Sequence, residues 1–170
     1  MKNTKSLYGI CIAVLALFDQ YTKSLVVTNL KSGRVIPVWK GVFELRYLEN
    51  RGAAFGMLQD RRIFFLAIGV IVLFCLFRMI KTLANDPRYT RFLLCLTLIG
   101  AGTIGNTLDR VRLGYVIDFF YFKWIDFPIF NVADIYITVG SILIVLFLIF
   151  FYNDEELETI GRSLKGNKHA

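Results

Sequence analysis

Histidine is nearly absent from this chain: there is one, His169, close to the end of a polar C-terminal tail. The three cysteines, Cys11, Cys75 and Cys95, each lie inside an apolar block, with no CxxC or Cys/His spacing anywhere. That excludes a zinc site or a disulfide framework and leaves the cysteines as small buried hydrophobes. Charge is also scarce, at 19% of 170 residues, below the roughly one quarter of a soluble domain. The shortage is local: charged residues are excluded from long stretches and gathered between them.

Hydrophobic residues make up 56% of the chain and fall into blocks at about 7–27, 63–80, 92–108 and 135–152. A hydrocarbon core of about 30 Å needs roughly 20 mostly apolar residues per helix. Four spans of this kind take about half the chain and leave no room for a large soluble domain. The expected fold is an all-α membrane protein of four transmembrane helices, with residues 1–170 forming a single integral membrane domain. The first block follows Lys2 and Lys5, as a cleaved leader would, but it runs on into Asp19-Gln20-Tyr21-Thr22-Lys23 without a small-x-small cleavage site. It reads as a retained first helix with a polar insert.

The net charge of +7 raises the possibility of nucleic-acid binding. The basic residues instead flank the apolar blocks, where they suit anionic lipid, so no nucleic acid is expected as a partner. Sixteen Phe and eight Tyr fit lipid-facing helices and interfacial belts. Between the first two blocks, Val35-Ile36-Pro37-Val38-Trp39 and Phe43-Glu44-Leu45-Arg46-Tyr47 are β-prone, and Lys40-Gly41 can supply a turn. A small amphipathic extracytoplasmic β-sheet over 34–48 is expected, resting on the membrane surface. Residues 81–91, with Asn85-Asp86-Pro87, read as a plain loop, and the tail beyond 153 as frayed or a short surface helix. Lys and Arg are almost equally divided between the two sides, so charge counting does not settle orientation. Arg78, Lys81, Arg88 and Arg91, in or just before the short second connection, tilt it towards cytoplasmic termini.

Ionisable groups in or beside a span normally face a bundle interior and carry a function, because a central Asp or Lys costs about 2.5–3.5 kcal/mol to insert. Asp19 and Lys23, four apart, share a helix face and read as a structural ion pair ahead of direct chemistry. Asn106 and Asp109 share a face at the end of the third span and suit a supporting role. In Asn131-Val132-Ala133-Asp134, Asn131 suits an N-cap and Asp134 the acidic residue of a capping box, and this competes evenly with catalysis. Asp118 stands among aromatics in Gly114–Phe122, with no opposite charge beside it. Two carboxylates about 3 Å apart repel by roughly 5 kcal/mol at an effective dielectric near 20, so they share a proton and supply both base and acid. Spacing alone does not show that Asp118 and Asp134 meet.

At these residues the chain closely resembles the lipoprotein signal peptidase (signal peptidase II) family. The match is carried by Asp19-Gln20-Tyr21-Thr22-Lys23, by Asn50-Arg51-Gly52-Ala53-Ala54-Phe55, by Gly105-Asn106-Thr107-Leu108-Asp109-Arg110 continuing through Gly114 to Asp118-Phe119, and by Phe130-Asn131-Val132-Ala133-Asp134. It spans about residues 7–152. Thr107 stands where the family usually has an apolar residue, and it touches no proposed role.

The resemblance implies cytoplasmic termini and a catalytic pair, Asp118 and Asp134, at the outer face of the bacterial inner membrane. It places Asn50, Asn106, Asp109, Arg110, Asn131 and Ala133 in the polar shell around that pair, with Asp19 and Lys23 as support. It also implies diacylglyceryl-modified prolipoprotein substrates cleaved just before the lipidated cysteine, membrane lipid as surroundings, and inhibition by globomycin-type cyclic peptides. No metal or cofactor is expected, and a monomer is the expected state. The rival readings are a transporter or channel, a lipid-headgroup transferase and a noncatalytic assembly factor. The first lacks repeats or paired half-helices, and the second lacks a histidine or metal set in the membrane region.

Overall fold

The computed structural model describes residues 4–52 and 60–165. Ala53, Ala54 and Phe55 of the family-like motif, and His169, lie outside the described residues. Among the described residues, four helices are long and apolar enough to cross a membrane: α1 (Thr4–Leu30), α2 (Arg62–Leu83), α3 (Thr90–Arg112) and α4 (Val132–Phe150). Each apolar block becomes a helix. α1 to α3 extend beyond their blocks by one to four residues at each end. α4 begins three residues earlier than its block, at the capping motif, and stops at Phe150. A single 3-10 turn, Pro87–Tyr89, links α2 to α3, and α5 (Asp154–Lys165) forms the surface helix of the tail.

α3 is the central helix. In its most apolar stretch 56% of residues are buried, against 17–22% in the other three, so α1, α2 and α4 pack around it and face outward. Their outer faces carry Leu17, Ile63, Val70, Phe77 and Ile149, all well exposed. A continuous apolar surface of this kind is unstable in water and natural in lipid. Close approach to α4 depends on small residues. A Cβ on Gly102 would collide with the backbone carbonyl of Ala133, and one on Gly140 would lie 2.9 Å from the Cys95 carbonyl oxygen.

The sheet has three strands, in the order β1 (Val35–Trp39), β2 (Phe43–Asn50) and β3 (Val116–Phe122), all antiparallel. The β1–β2 hairpin is the one expected between the first two helices, turning at Gly41 with φ +80°. The third strand comes from the α3–α4 connection, where the sequence suggested none. Its run Val-Ile-Asp-Phe-Phe-Tyr-Phe lacks alternation because its first residues are buried on both faces. Ile117 and Phe119 pack with Val26 and Leu30 of α1 and Val132 of α4 in a core beneath the sheet. A second core at the opposite end joins Tyr8, Leu76, Leu83, Phe92 and Leu93 to Ile160 of α5.

Two features of this topology position the site. The β2–β3 register sets Leu48 opposite Asp118 and Asn50 opposite Val116, which leaves Asn50 one diagonal from Asp118. Phe130 exchanges backbone hydrogen bonds with Phe120, at 2.8 and 3.1 Å, and so ties the segment entering α4 to β3.

Candidate active site

Asp118, on β3, is 1% exposed. Its Oδ1 accepts a hydrogen bond from Asn131 Nδ2 at 2.6 Å and its Oδ2 one from Asn50 Nδ2 at 2.8 Å. Asp134, in the first turn of α4, accepts from Asn106 Nδ2 at 2.8 Å and from the Asn131 backbone N–H at 3.1 Å. Asn131 therefore touches both acids, one through its side chain and the other through its main chain. Asn131 Oδ1 also accepts from the Asp134 N–H at 3.0 Å, which completes a reciprocal capping box. Capping and a place in the site were alternatives for Asp134 in the sequence. In the fold they coincide, because the cap holds one carboxylate oxygen and leaves the other to Asn106.

Both carboxylates line one cavity of about 470 Å³, together with Asn50, Asn106 and Arg110 and an apolar wall that includes Phe127, Ile135 and Val139. Burial, and then the charge of Asp134, push the Asp118 carboxyl up to about 7, against the pull of Asn50 and Asn131. Arg110 donates to the Gly52 carbonyl oxygen at 3.2 Å, and its guanidinium stacks 4.5 Å from the Phe65 ring centroid. That contact anchors the end of β2 beside the cavity.

Beneath the two acids lies a buried charge cluster. Lys23 Nζ is 2.9 Å from Asp19, 2.9 Å from Asp109 and 2.9 Å from Asn106 Oδ1. The i,i+4 spacing foreshadowed the first contact; the other two reach across to α3. Asp19 accepts from the Ala133 N–H at 2.9 Å, so Ala133 takes part through its backbone. Asp109 accepts from the Ile117 N–H at 3.2 Å, which ties α3 to β3. Two acids and one lysine would be costly to bury unsatisfied, and these amide donors reduce the penalty.

Gln20 belongs to this cluster although its sequence position suggested no role. Its side-chain amide nitrogen, Nε2, donates to Asp109 at 2.9 Å and to the Gly105 carbonyl at 3.2 Å. Gly105 is equally cryptic: a Cβ there would collide with the Asp19 carboxylate. Its only signal was membership of the Gly105–Arg110 motif.

Residues 11–150 match the family described as Signal peptidase (SPase) II. The chain belongs to the signal peptidase II family. It is similar to the lipoprotein signal peptidase of Streptococcus thermophilus (strain CNRZ 1066), with 47% identity over 143 residues, covering 82% of this chain and 92% of that protein. The lipoprotein signal peptidase of Caldanaerobacter subterraneus subsp. tengcongensis is 45% identical over 143 residues, covering 83% and 94%. Among solved structures, a bacterial membrane enzyme determined by the in meso method at 2.3 Å superposes with a TM-score of 0.74. Their sequences are 34% identical, covering 85% of this chain and 88% of that one. A second, at 1.9 Å, gives 0.73 at 33% identity, covering 86% and 95%. Signal peptidase II membership and four apolar helices make this chain a multi-pass bacterial membrane protein and a peptidase by family.

Proposed function

We propose that this signal peptidase II is an aspartic endopeptidase that removes the signal peptide from diacylglyceryl-modified prolipoproteins, cleaving just before the lipidated cysteine. The observation that carries the reading is that Asp118 and Asp134 line one cavity, are linked through Asn131, and include a carboxyl held protonated to about 7. Near neutral pH the pair holds one proton between them. The ionised carboxylate takes a proton from a water molecule as that water attacks the scissile carbonyl. The protonated partner donates to the leaving amine nitrogen as the C–N bond breaks. The proton bookkeeping belongs to the pair, and no single assignment is needed.

The amides of Asn50, Asn106 and Asn131 fix where the carboxylates point. Lys23, Asp19 and Asp109 hold Asn106 and the start of α4 in place, and Arg110 keeps the end of β2 against the cavity. The apolar wall of Phe127, Ile135 and Val139 suits a substrate bound to lipid at the leaflet surface. Cytoplasmic termini place the pair at the outer face of the bacterial inner membrane, where globomycin-type cyclic peptides would compete for the cavity. The amphipathic hairpin within 34–48 excludes water from the bound signal peptide.

The test is cleavage of a diacylglyceryl-modified precursor by purified protein in detergent, followed by gel shift for wild type, Asp118→Asn and Asp134→Asn. General acid–base catalysis contributes about 100- to 10,000-fold, and both variants are expected to lose at least that much. Activity retained in either variant removes that residue from the catalytic assignment.

A further inference from the structure

At the end of the bundle away from the acids, two recesses meet. One is an apolar groove of about 400 Å³ formed by three helices, each contributing residues at helical spacing: Cys11 and Leu15 from α1, Leu94 and Leu98 from α3, Leu143 and Phe147 from α4. The other is a more polar hollow of about 420 Å³ between the α2–α3 connection, the end of α4 and the start of α5. Arg91 and Phe147 line both. From Arg91 to Arg110, α3 rises about 28 Å, so the groove opens near the leaflet opposite the catalytic cavity. From Arg91 to Leu98 it is about 10 Å deep, the reach of part of one acyl chain.

The charges at the junction are unequal in availability. Arg88 is held in a fork by Asp86, at 2.7 to 3.2 Å. Glu156 accepts from the Asn153 N–H at 3.2 Å and so caps α5. Arg91 makes no ion pair among the described residues; its guanidinium lies 5.7 Å from the Phe151 ring centroid, at the mouth of the groove. An exposed cation at the interfacial end of an apolar groove facing hydrocarbon suits an anionic headgroup joined to an acyl chain, and in a bilayer that headgroup is a phosphate.

We propose that this face binds a membrane glycerophospholipid, with its phosphate on Arg91 beside Thr90 and one acyl chain along the α1–α3–α4 groove. The lipid fills the seam where α1 and α4 flank α3 and is independent of the peptidase reading. The site is tested by native mass spectrometry of the full chain released from detergent after adding phosphatidylglycerol, diacylglycerol or inorganic phosphate. Wild type is expected to retain phosphatidylglycerol at least about tenfold better than Arg91→Gln, the scale of a lost charge-assisted hydrogen bond. Leu143→Trp, which fills the groove, is expected to lose it comparably, while Leu143→Met, which keeps the volume, retains it and guards against a folding defect. Diacylglycerol, which lacks the phosphate, is expected to bind weakly. Equal retention by Arg91→Gln, equal binding of diacylglycerol, or retention by Leu143→Trp would each overturn the proposal. So would displacement of the phospholipid by inorganic phosphate alone, which would mark a simple anion site.

Discussion

Replacing Asp118 by Asn is expected to abolish cleavage and yet stabilise the protein above neutral pH. In the unfolded chain the carboxyl ionises near 3.8, and in the folded protein near 7. A raised value means the folded state favours the protonated form. Its stability is highest below pH 3.8, is lost as pH rises towards 7, and stays lost above it. About three pH units at about 1.4 kcal/mol each give about 4 kcal/mol of strain at pH 8 as an upper bound. Asn carries no charge to bury, but both oxygens of Asp118 face amide donors, from Asn50 and Asn131. One of these would face the new NH₂ group, at a cost of about 1–3 kcal/mol. The net expectation is a gain of about 1–3 kcal/mol at pH 8. Below about pH 4 the order reverses, because a protonated carboxyl still offers lone pairs to both donors. Thermal unfolding in detergent at pH 8 and pH 4 reads this crossing directly. A variant less stable by the same amount at both values would mean that Asp118 ionises as an ordinary carboxylate and shares no proton with Asp134.

Lys23→Met leaves Asp19 and Asp109 buried without their cation and should destabilise the fold by about 3–5 kcal/mol, read by thermal unfolding. Gly102→Ala keeps every acid but drives a methyl into the Ala133 carbonyl, displacing the first turn of α4; activity should fall on the order of 100-fold with the protein still folded, measured by circular dichroism and gel shift. The profile of kcat/KM should have an alkaline limb near 7, falling about tenfold per unit above it, because the pair then loses the proton owed to the leaving amine. Cleavage should also survive chelating agents, since the two acids supply both proton transfers; inhibition that added metal reverses would count against this.

The helices were legible because the bilayer requirement is one-dimensional: about 20 apolar residues in a row are enough to reveal a span. The Asp19–Lys23 contact was legible for a similar reason, since four residues along a helix fix a shared face. The reach of Lys23 to Asp109 and Asn106 on α3 depends on how two helices pack, which no local pattern encodes. β3 was hidden because burial of Val116 to Phe119 on both faces erases the period-two alternation that marked β1 and β2. Asp118 and Asp134 come to one cavity through the Phe120–Phe130 backbone pairing and the amide of Asn131, and neither has a sequence signature of its own. The Asn131–Asp134 cap was readable, but that a capping acid also lines the cavity was not.

The central claim is that Asp118 and Asp134 hold one proton between them near neutral pH. Infrared titration of the carboxyl stretch, with isotope-labelled aspartate, tests it most directly. One protonated carboxyl is expected at pH 6 in the wild type, titrating with a midpoint near 7 and moving to lower pH in Asp134→Asn, where burial still acts on Asp118 but the neighbouring charge is gone. Complete ionisation of both groups by pH 5 would contradict it.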